Sequence, residues 1–406
     1  MKKGSFVFRA AAAMLCLAVM LGTPVLASDN AADELYGRLQ GQDITLNVYN
    51  WGEYISDGSD DSLDINAAFE ERTGIKVQYS TFASNEELYA KLKSGGSQYD
   101  VIIPSDYMIS RMIKEDMLEK LNYENIPNYA LIMDEFKGQN FDPNNEYTVP
   151  YMWGTVGIIY NTSMVTKPVT SWDMLWDEEF KGKILMFSNS RDAFGVSLLR
   201  LGYSINTENE DELRQAGDEL KKQKPLVQAY VMDEIFDKMQ GEEAALAPYY
   251  AGDAITMIDT NPNLDFAIPE EGTNRFVDAM CIPKGAANKE AAELYINFMT
   301  ETDTAVANCE YIGYSTPQKE AFEELDEEIT ANPIAYPSQE VLDKTQGFVN
   351  LSDSTNALID SLWTEILSAN ASSNSWMILV VLVAALAFAI ALPIYRRHKK
   401  NRQNMQ

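Results

Sequence analysis

The chain has 406 residues and carries 61 acidic against 32 basic side chains, a formal net charge of −29. That balance argues against nucleic acid, whose phosphates need basic partners, and favours cationic ligands, although a charged surface also simply keeps a protein soluble. The single histidine is His398, near the C-terminus, so the rest of the chain has none for a Ser-His-Asp or Cys-His catalytic site or for a metal ligand.

At the start, Lys2, Lys3 and Arg9 flank an apolar run over 10–22, and Val25-Leu26-Ala27 sets small residues at the −3 and −1 positions before Ser28. This order predicts a secretory signal over residues 1–27. Cys16 follows the large Leu15, where a lipidation signal needs a small residue, so ordinary cleavage near Ala27 is expected.

Strands and helices then alternate. Residues 44–49 read as a strand, 63–72 as a helix ended by Gly74, 75–81 as a strand and 85–94 as a helix stopped by Gly95-Gly96. A buried strand over 99–103 ends at Pro104, and a helix follows from about 107 to 116. A second set begins with strands over 155–160 and 183–187, then helices over 192–201, 210–223 and 230–239. Segments 244–248 and 254–258 bracket a short loop, 278–282 is a strand, and 289–300 is a helix. This alternation predicts an α/β fold with helices on both sheet faces, and the length allows two lobes.

Residues 368–375 have linker composition, and 376–395 is an uncharged, mostly apolar stretch of the length that spans a bilayer core. Arg396, Arg397, Lys399, Lys400 and Arg402 follow, which predicts a transmembrane helix with a basic cytoplasmic tail over 396–406 and the large domain outside. Without the three basic residues of the leader and the five of the tail, the charge of the exported part falls from −29 to about −37. It keeps two cysteines, Cys281 and Cys309, which could pair or stay as separate buried thiols.

Ligands of open α/β sheets bind outside the carboxyl ends of the strands. Four such ends carry aromatics or carboxylates: Asn50-Trp51-Gly52-Glu53-Tyr54, Pro104-Ser105-Asp106-Tyr107, Ser188-Asn189-Ser190-Arg191-Asp192 and Tyr249-Tyr250-Ala251-Gly252-Asp253. Asp278 sits inside an otherwise apolar strand, where a carboxylate needs a partner, while Glu53 and Asp106 are expected to face solvent. Taken singly, each has a plainer reading. Trp51 could be a core residue, Asp192 a helix N-terminal residue, and Gly252-Asp253 a turn. Together they suit a flexible apolar chain bearing two or more ammonium groups, since carboxylates pair the charges and aromatic faces pack the methylenes and attract cations.

At these motifs the sequence resembles the bacterial spermidine/putrescine-binding proteins, over roughly residues 42–367. Asn50-Trp51-Gly52-Glu53-Tyr54 resembles their opening Asn-Trp-x-x-Tyr, and Tyr99-Asp100-Val101-Ile102-Ile103-Pro104-Ser105 with Tyr107 their Tyr-Asp-Val-x-x-Pro-Ser. Val149-Pro150-Tyr151 with Trp153-Gly154 resembles their crossover strand. Tyr250-Ala251-Gly252-Asp253, Phe276-Val277-Asp278 and Ile312-Gly313-Tyr314 with Thr316-Pro317 complete the series. The resemblance implies an aromatic box of Trp51, Tyr54, Tyr107, Tyr250, Phe276 and Tyr314, with Ser105, Asp192, Asp253 and Asp278 holding the ammonium groups. It further implies a two-lobed type II periplasmic-binding-protein fold with hinge crossover strands near 150–160 and 276–282. Lobe 1 would hold about 42–150 and 280–335, and lobe 2 about 155–276 and 336–367. The partners implied are a polyamine and an ABC permease, with no enzyme activity, cofactor or metal. Tyr250 stands where tryptophan is usual, Asn189 where some members have aspartate, Asp192 where some have glutamate, and the family's late glutamine contact has no clear match around 348–350. Other readings are a ferric-iron binder of the same fold, suggested by Tyr249-Tyr250, a sugar or amino-acid binder, and a glycosidase using a carboxylate pair.

Overall fold

The computed structural model describes residues 34–95 and 98–369. The candidate leader 1–27, the span 376–395 and the basic tail lie outside the described residues, as does most of the linker. Among the described residues no helix is long and apolar enough to cross a membrane.

Two sheets organise the chain. The first is parallel, in the order β2-β1-β3, from β1 (Thr45–Trp51), β2 (Lys76–Phe82) and β3 (Val101–Ile102). Val48 lies opposite both Tyr79 of β2 and Val101 of β3. Leu46, Val48 and Ile102 are fully buried, as parallel strands covered by helices on both faces require. The crossover helices α1 (Ile65–Thr73) and α2 (Asn85–Lys93) begin where the sequence supplies caps. Asp64 accepts a hydrogen bond from the Ala67 amide and Ser84 from the Glu87 amide, and Gly74 ends α1 in the left-handed conformation at φ 75°. The third helix, α3 (Asp106–Lys114), follows β3 with Ser105 at its N-cap.

The second sheet runs β10-β9-β4-β7-β5-β6, with β8 also on β4. Its strands are β4 (Val149–Asn161), β5 (Ile184–Phe187), β6 (Val227–Val231), β7 (Leu246–Tyr250), β8 (Leu264–Ala267), β9 (Thr273–Met280) and β10 (Thr345–Gln346). β4 is antiparallel to β7, β8 and β9, with Trp153 opposite Val277 and Ile158 opposite Pro248. The far end of β9 continues onto the first sheet. Ile102 and Cys281 exchange backbone hydrogen bonds at 2.9 and 2.8 Å, and the Ala279 amide donates to the Pro104 carbonyl at 3.2 Å. Asp278 therefore lies where the two sheets meet, bridged to Ser105.

Three local expectations change. Residues 230–239 are not one helix: Val227–Val231 is β6, paired in parallel with β5, and the helix is only Ile235–Gln240. Gly252 and Asp253 form no turn, because the helix Ala251–Thr260 starts directly after β7. The strand expected over 278–282 starts earlier, at Thr273, where pairing with β4 and β10 holds it. Cys281 and Cys309 are both buried and free, so the open question of pairing resolves to separate thiols.

Candidate functional site

All ten residues singled out above line one cavity between the sheets, of about 590 Å³ of empty space partly open to solvent. The fold explains their convergence. Trp51 ends β1, with Tyr54 just beyond it, and Ser105 and Tyr107 stand at the start of α3. Asp192 is in the first turn of α4 (Ser190–Arg200), Tyr250 ends β7, and Asp253 is in the first turn of Ala251–Thr260. Phe276 and Asp278 share one face of β9, and Tyr314 follows Gly313, the left-handed cap of Thr302–Ile312.

Tyr54, Tyr314, Phe276 and Tyr250 form a connected wall, and Tyr107 pairs separately with Phe348. Tyr54 meets Tyr314 edge-on at 4.7 Å between ring centroids, Phe276 meets Tyr250 at 5.5 Å and Tyr314 at 6.2 Å, and Tyr107 meets Phe348 at 5.8 Å. The Trp51 indole N–H donates to the Ile103 carbonyl at 2.9 Å, which fixes its ring.

Asp253 and Asp278 are buried, Asp192 is half-buried, and Asp278 is only partly satisfied. The Tyr54 hydroxyl donates to Asp278 Oδ2 at 2.8 Å, while Asp278 Oδ1 has no hydrogen-bond partner. Burial pushes the Asp278 carboxyl up to about 6, although the nearby Ser105 hydroxyl and the Tyr54 bond pull the other way. The Tyr250 hydroxyl donates to Asp192 Oδ2 at 2.8 Å, and the Asp192 amide donates to Asn189 Oδ1 at 2.8 Å. Burial still raises Asp192, against the opposing pull of the Tyr250 hydroxyl, the Asn189 side chain and the Arg191 charge. Asp253 is raised well above the usual carboxylate range by burial, and the charges of Asp233 and Glu53 add to this against the pull of Tyr314. Among the described residues no basic side chain lines this cavity beside its carboxylates, and a cation entering it would relieve the cost of their desolvation.

Further residues line the same cavity: Gly52, Asn85, Asp106, Met232, Asp233, Tyr249, Asn274 and Phe348. Asp106, expected to face solvent, is 6% exposed, and burial drives its pKa well up. Its neighbours arrive from the distant β9 and from the segment before Phe348, which a local reading of 104–107 cannot see. Glu53 is exposed. Asn274 lies two residues before Phe276 in β9, ahead of the strand expected over 278–282, so its place in the row was not legible. Asp233 had no signal either, since its segment read as helix. In total five aspartates line the cavity and, among the described residues, no lysine, arginine or histidine does. Arg191 stands behind the wall, stacked over Phe348 at 4.4 Å and Tyr107 at 5.6 Å, and donates to Asn206 Oδ1 and the Val349 carbonyl. Of the pair that suggested ferric iron, Tyr249 is buried and Tyr250 half-buried, and desolvation raises both phenols well above their usual range.

A family model described as bacterial extracellular solute-binding protein matches residues 97–345. Over 300 residues the chain is 37% identical to the spermidine/putrescine-binding periplasmic protein of Escherichia coli (strain K12), covering 73% of this chain and 84% of that protein. A solved structure described as a putative spermidine/putrescine ABC transporter from Listeria monocytogenes superposes with a TM-score of 0.76 at 38% identity, covering 80% of this chain and 99% of that one. This chain belongs to the bacterial extracellular solute-binding proteins, among the spermidine/putrescine-binding members. It is also 31% identical over 357 residues to a putrescine-binding periplasmic protein of Pseudomonas aeruginosa (strain UCBPP-PA14), with 83% and 96% of the two chains covered. The family binds solutes and is not an enzyme family, so the carboxylates of the cavity are not a catalytic pair. The fold is the α/β periplasmic-binding-protein fold.

Proposed function

We propose that this chain is the substrate-binding component of a polyamine importer and captures spermidine or putrescine in the cavity between its two sheets. The observation that carries this reading is the lining of five aspartates with, among the described residues, no basic side chain, walled by aromatic rings. Each ammonium of the ligand pairs with a carboxylate, the methylenes pack against ring faces, and the rings add cation–π attraction of about 0.5–2 kcal/mol each. Trp51, Tyr54, Tyr107, Tyr250, Phe276 and Tyr314 form the box, and Ser105, Asp192, Asp253 and Asp278 receive the ammonium groups. Asp278 is the central contact, since Oδ1 is buried without a partner and Tyr54 holds the carboxylate in place through Oδ2.

The two lobes, about 42–150 with 280–335 and about 155–276 with 336–367, close on ligand by bending at β4 and β9. The extracytoplasmic domain is held to the membrane by residues 376–395 and delivers ligand to an ABC permease. Calorimetric titration of the purified chain with putrescine and spermidine, with glucose and an amino-acid panel as controls, tests the assignment. Saturable binding of a polyamine and none of glucose is the expected result, and the absence of polyamine binding overturns it.

A further inference from the structure

The face of β9 that lines the cavity carries three residues at alternate positions, Asn274, Phe276 and Asp278, while Arg275 and Val277 line a different cavity on the opposite face. This is the period of two that a regular strand imposes. Asn274 is 6% exposed, and its amide oxygen is buried with no hydrogen-bond partner. It repeats, at the other end of the row, the condition of Asp278 Oδ1. Asparagine and aspartate side chains have equal reach, so the separation of their acceptors follows the separation of their backbones. Four residues of strand at about 3.3 Å each set the two acceptors about 13 Å apart, with the Phe276 ring between them.

Resting on the polyamine reading of the cavity, we infer that Asn274 is a ligand contact that sets chain-length preference. A hydrogen bond spans about 2.9 Å at each end, so the ligand nitrogens must lie roughly 7–13 Å apart, according to how far each bond leans along the row. From bond lengths of about 1.5 Å in a zigzag chain, the nitrogens of a four-carbon diamine are about 6 Å apart and the terminal nitrogens of spermidine about 11 Å. Spermidine reaches both acceptors with its methylenes across Phe276. Putrescine paired with Asp278 falls short and leaves the Asn274 oxygen unmet.

The test compares the full chain with Asn274→Leu and Asn274→Asp, each titrated with spermidine and putrescine, with melting temperatures recorded alongside. Loss of one hydrogen bond from a charged donor predicts a fall of about tenfold or more in spermidine affinity for Asn274→Leu. Putrescine affinity stays within about twofold, because that ligand never used the contact. Asn274→Asp keeps the shape, adds a charge and shifts the spermidine-to-putrescine ratio the other way. The ratio is the readout because a general loosening of the fold weakens both ligands together. If Asn274→Leu does not fold, the near-isosteric Asn274→Asp decides alone. A wild-type ratio retained in every folded variant overturns the role of Asn274 and leaves polyamine binding standing. A wild-type chain that binds neither polyamine overturns both.

Discussion

At Asp278, burial, hydrogen bonding and charge are out of balance. It is 4% exposed, receives one hydrogen bond from Tyr54, and leaves Oδ1 unmet. Its carboxyl is raised from 3.8 to about 6, so the folded protein holds this proton more tightly than the unfolded chain does. The sign follows from linkage: stability of the ligand-free protein falls as pH rises from about 4 to 6, and the penalty is fully present above that window. Asp278→Asn removes the charge and keeps the carbonyl oxygen that Tyr54 requires. The free variant is expected to melt at or above the wild-type temperature at pH 7.5, while polyamine affinity falls by about 2–5 kcal/mol, as when one partner of a desolvated charge pair is removed. A lower melting point with unchanged affinity would mark Asp278 as structural instead. A cationic ligand favours ionised Asp278, so titrations of the wild type should show affinity weakening from pH 7.5 to pH 5 with protons released on binding. A pH-independent affinity across that range would remove Asp278 from the ligand's first contacts.

At the scale of elements, the cavity is built from strand ends and helix starts, with β9 as its floor. That strand separates two cavities by alternation alone, and its continuation onto Ile102 brings Asp278 beside Ser105. The helix Thr302–Ile312 contributes through its terminus. Gly313 caps it at φ 75°, and a Cβ there would lie 2.7 Å from the Gly252 carbonyl oxygen. Gly252 in turn leaves room for the Tyr314 ring, which a Cβ at 252 would meet at 2.2 Å. Gly313→Ala therefore faces both an unfavourable backbone conformation and a backbone clash. We expect a loss of about 1–3 kcal/mol in stability by chemical denaturation, with weaker polyamine binding because Tyr314 is displaced. Wild-type stability in this variant would show that the helix end can relax away from Gly252. The sequence pattern Gly-Tyr-x-Thr-Pro marked this segment, but the reason for its glycine lies in the approach of another helix.

For the whole molecule, the two sheets meet at the end of β9, where isolated bridges link Cys281 to Ile102 and Asp278 to Ser105. In the proposed closure, a ligand between the sheets would stabilise the closed arrangement by mass action, about 2.7 kcal/mol at 100 times Kd. A polyamine should raise the melting temperature, and glucose should not. Trp51 lies on the cavity wall with its indole fixed to Ile103, so its fluorescence should change on binding, and small-angle scattering should show a smaller radius of gyration with ligand. A melting temperature and radius unchanged at saturating polyamine would exclude closure.

The sequence by itself determined most local units and the residue types gathered at the candidate site. Caps such as Asp64 and Ser84, stops such as Gly74, and the apolar runs of β1 and β5 act over a few residues, so their signals are written next to the elements they define. The ten candidate residues, which line one cavity, were marked by residues at strand and helix ends and inside β9 and, for Phe276 and Tyr314, by the family resemblance. Tertiary structure alone decided which further side chains the cavity would bury. Asp106 looks like a solvated helix start until β9 and Phe348 cover it, and Asp233 reaches the cavity only because the strand Val227–Val231 pairs with β5. Helix and strand periodicities are properties of one segment, whereas burial is set by segments far apart in the chain that pack together. The second acceptor at Asn274 became visible only when the face of β9 was known.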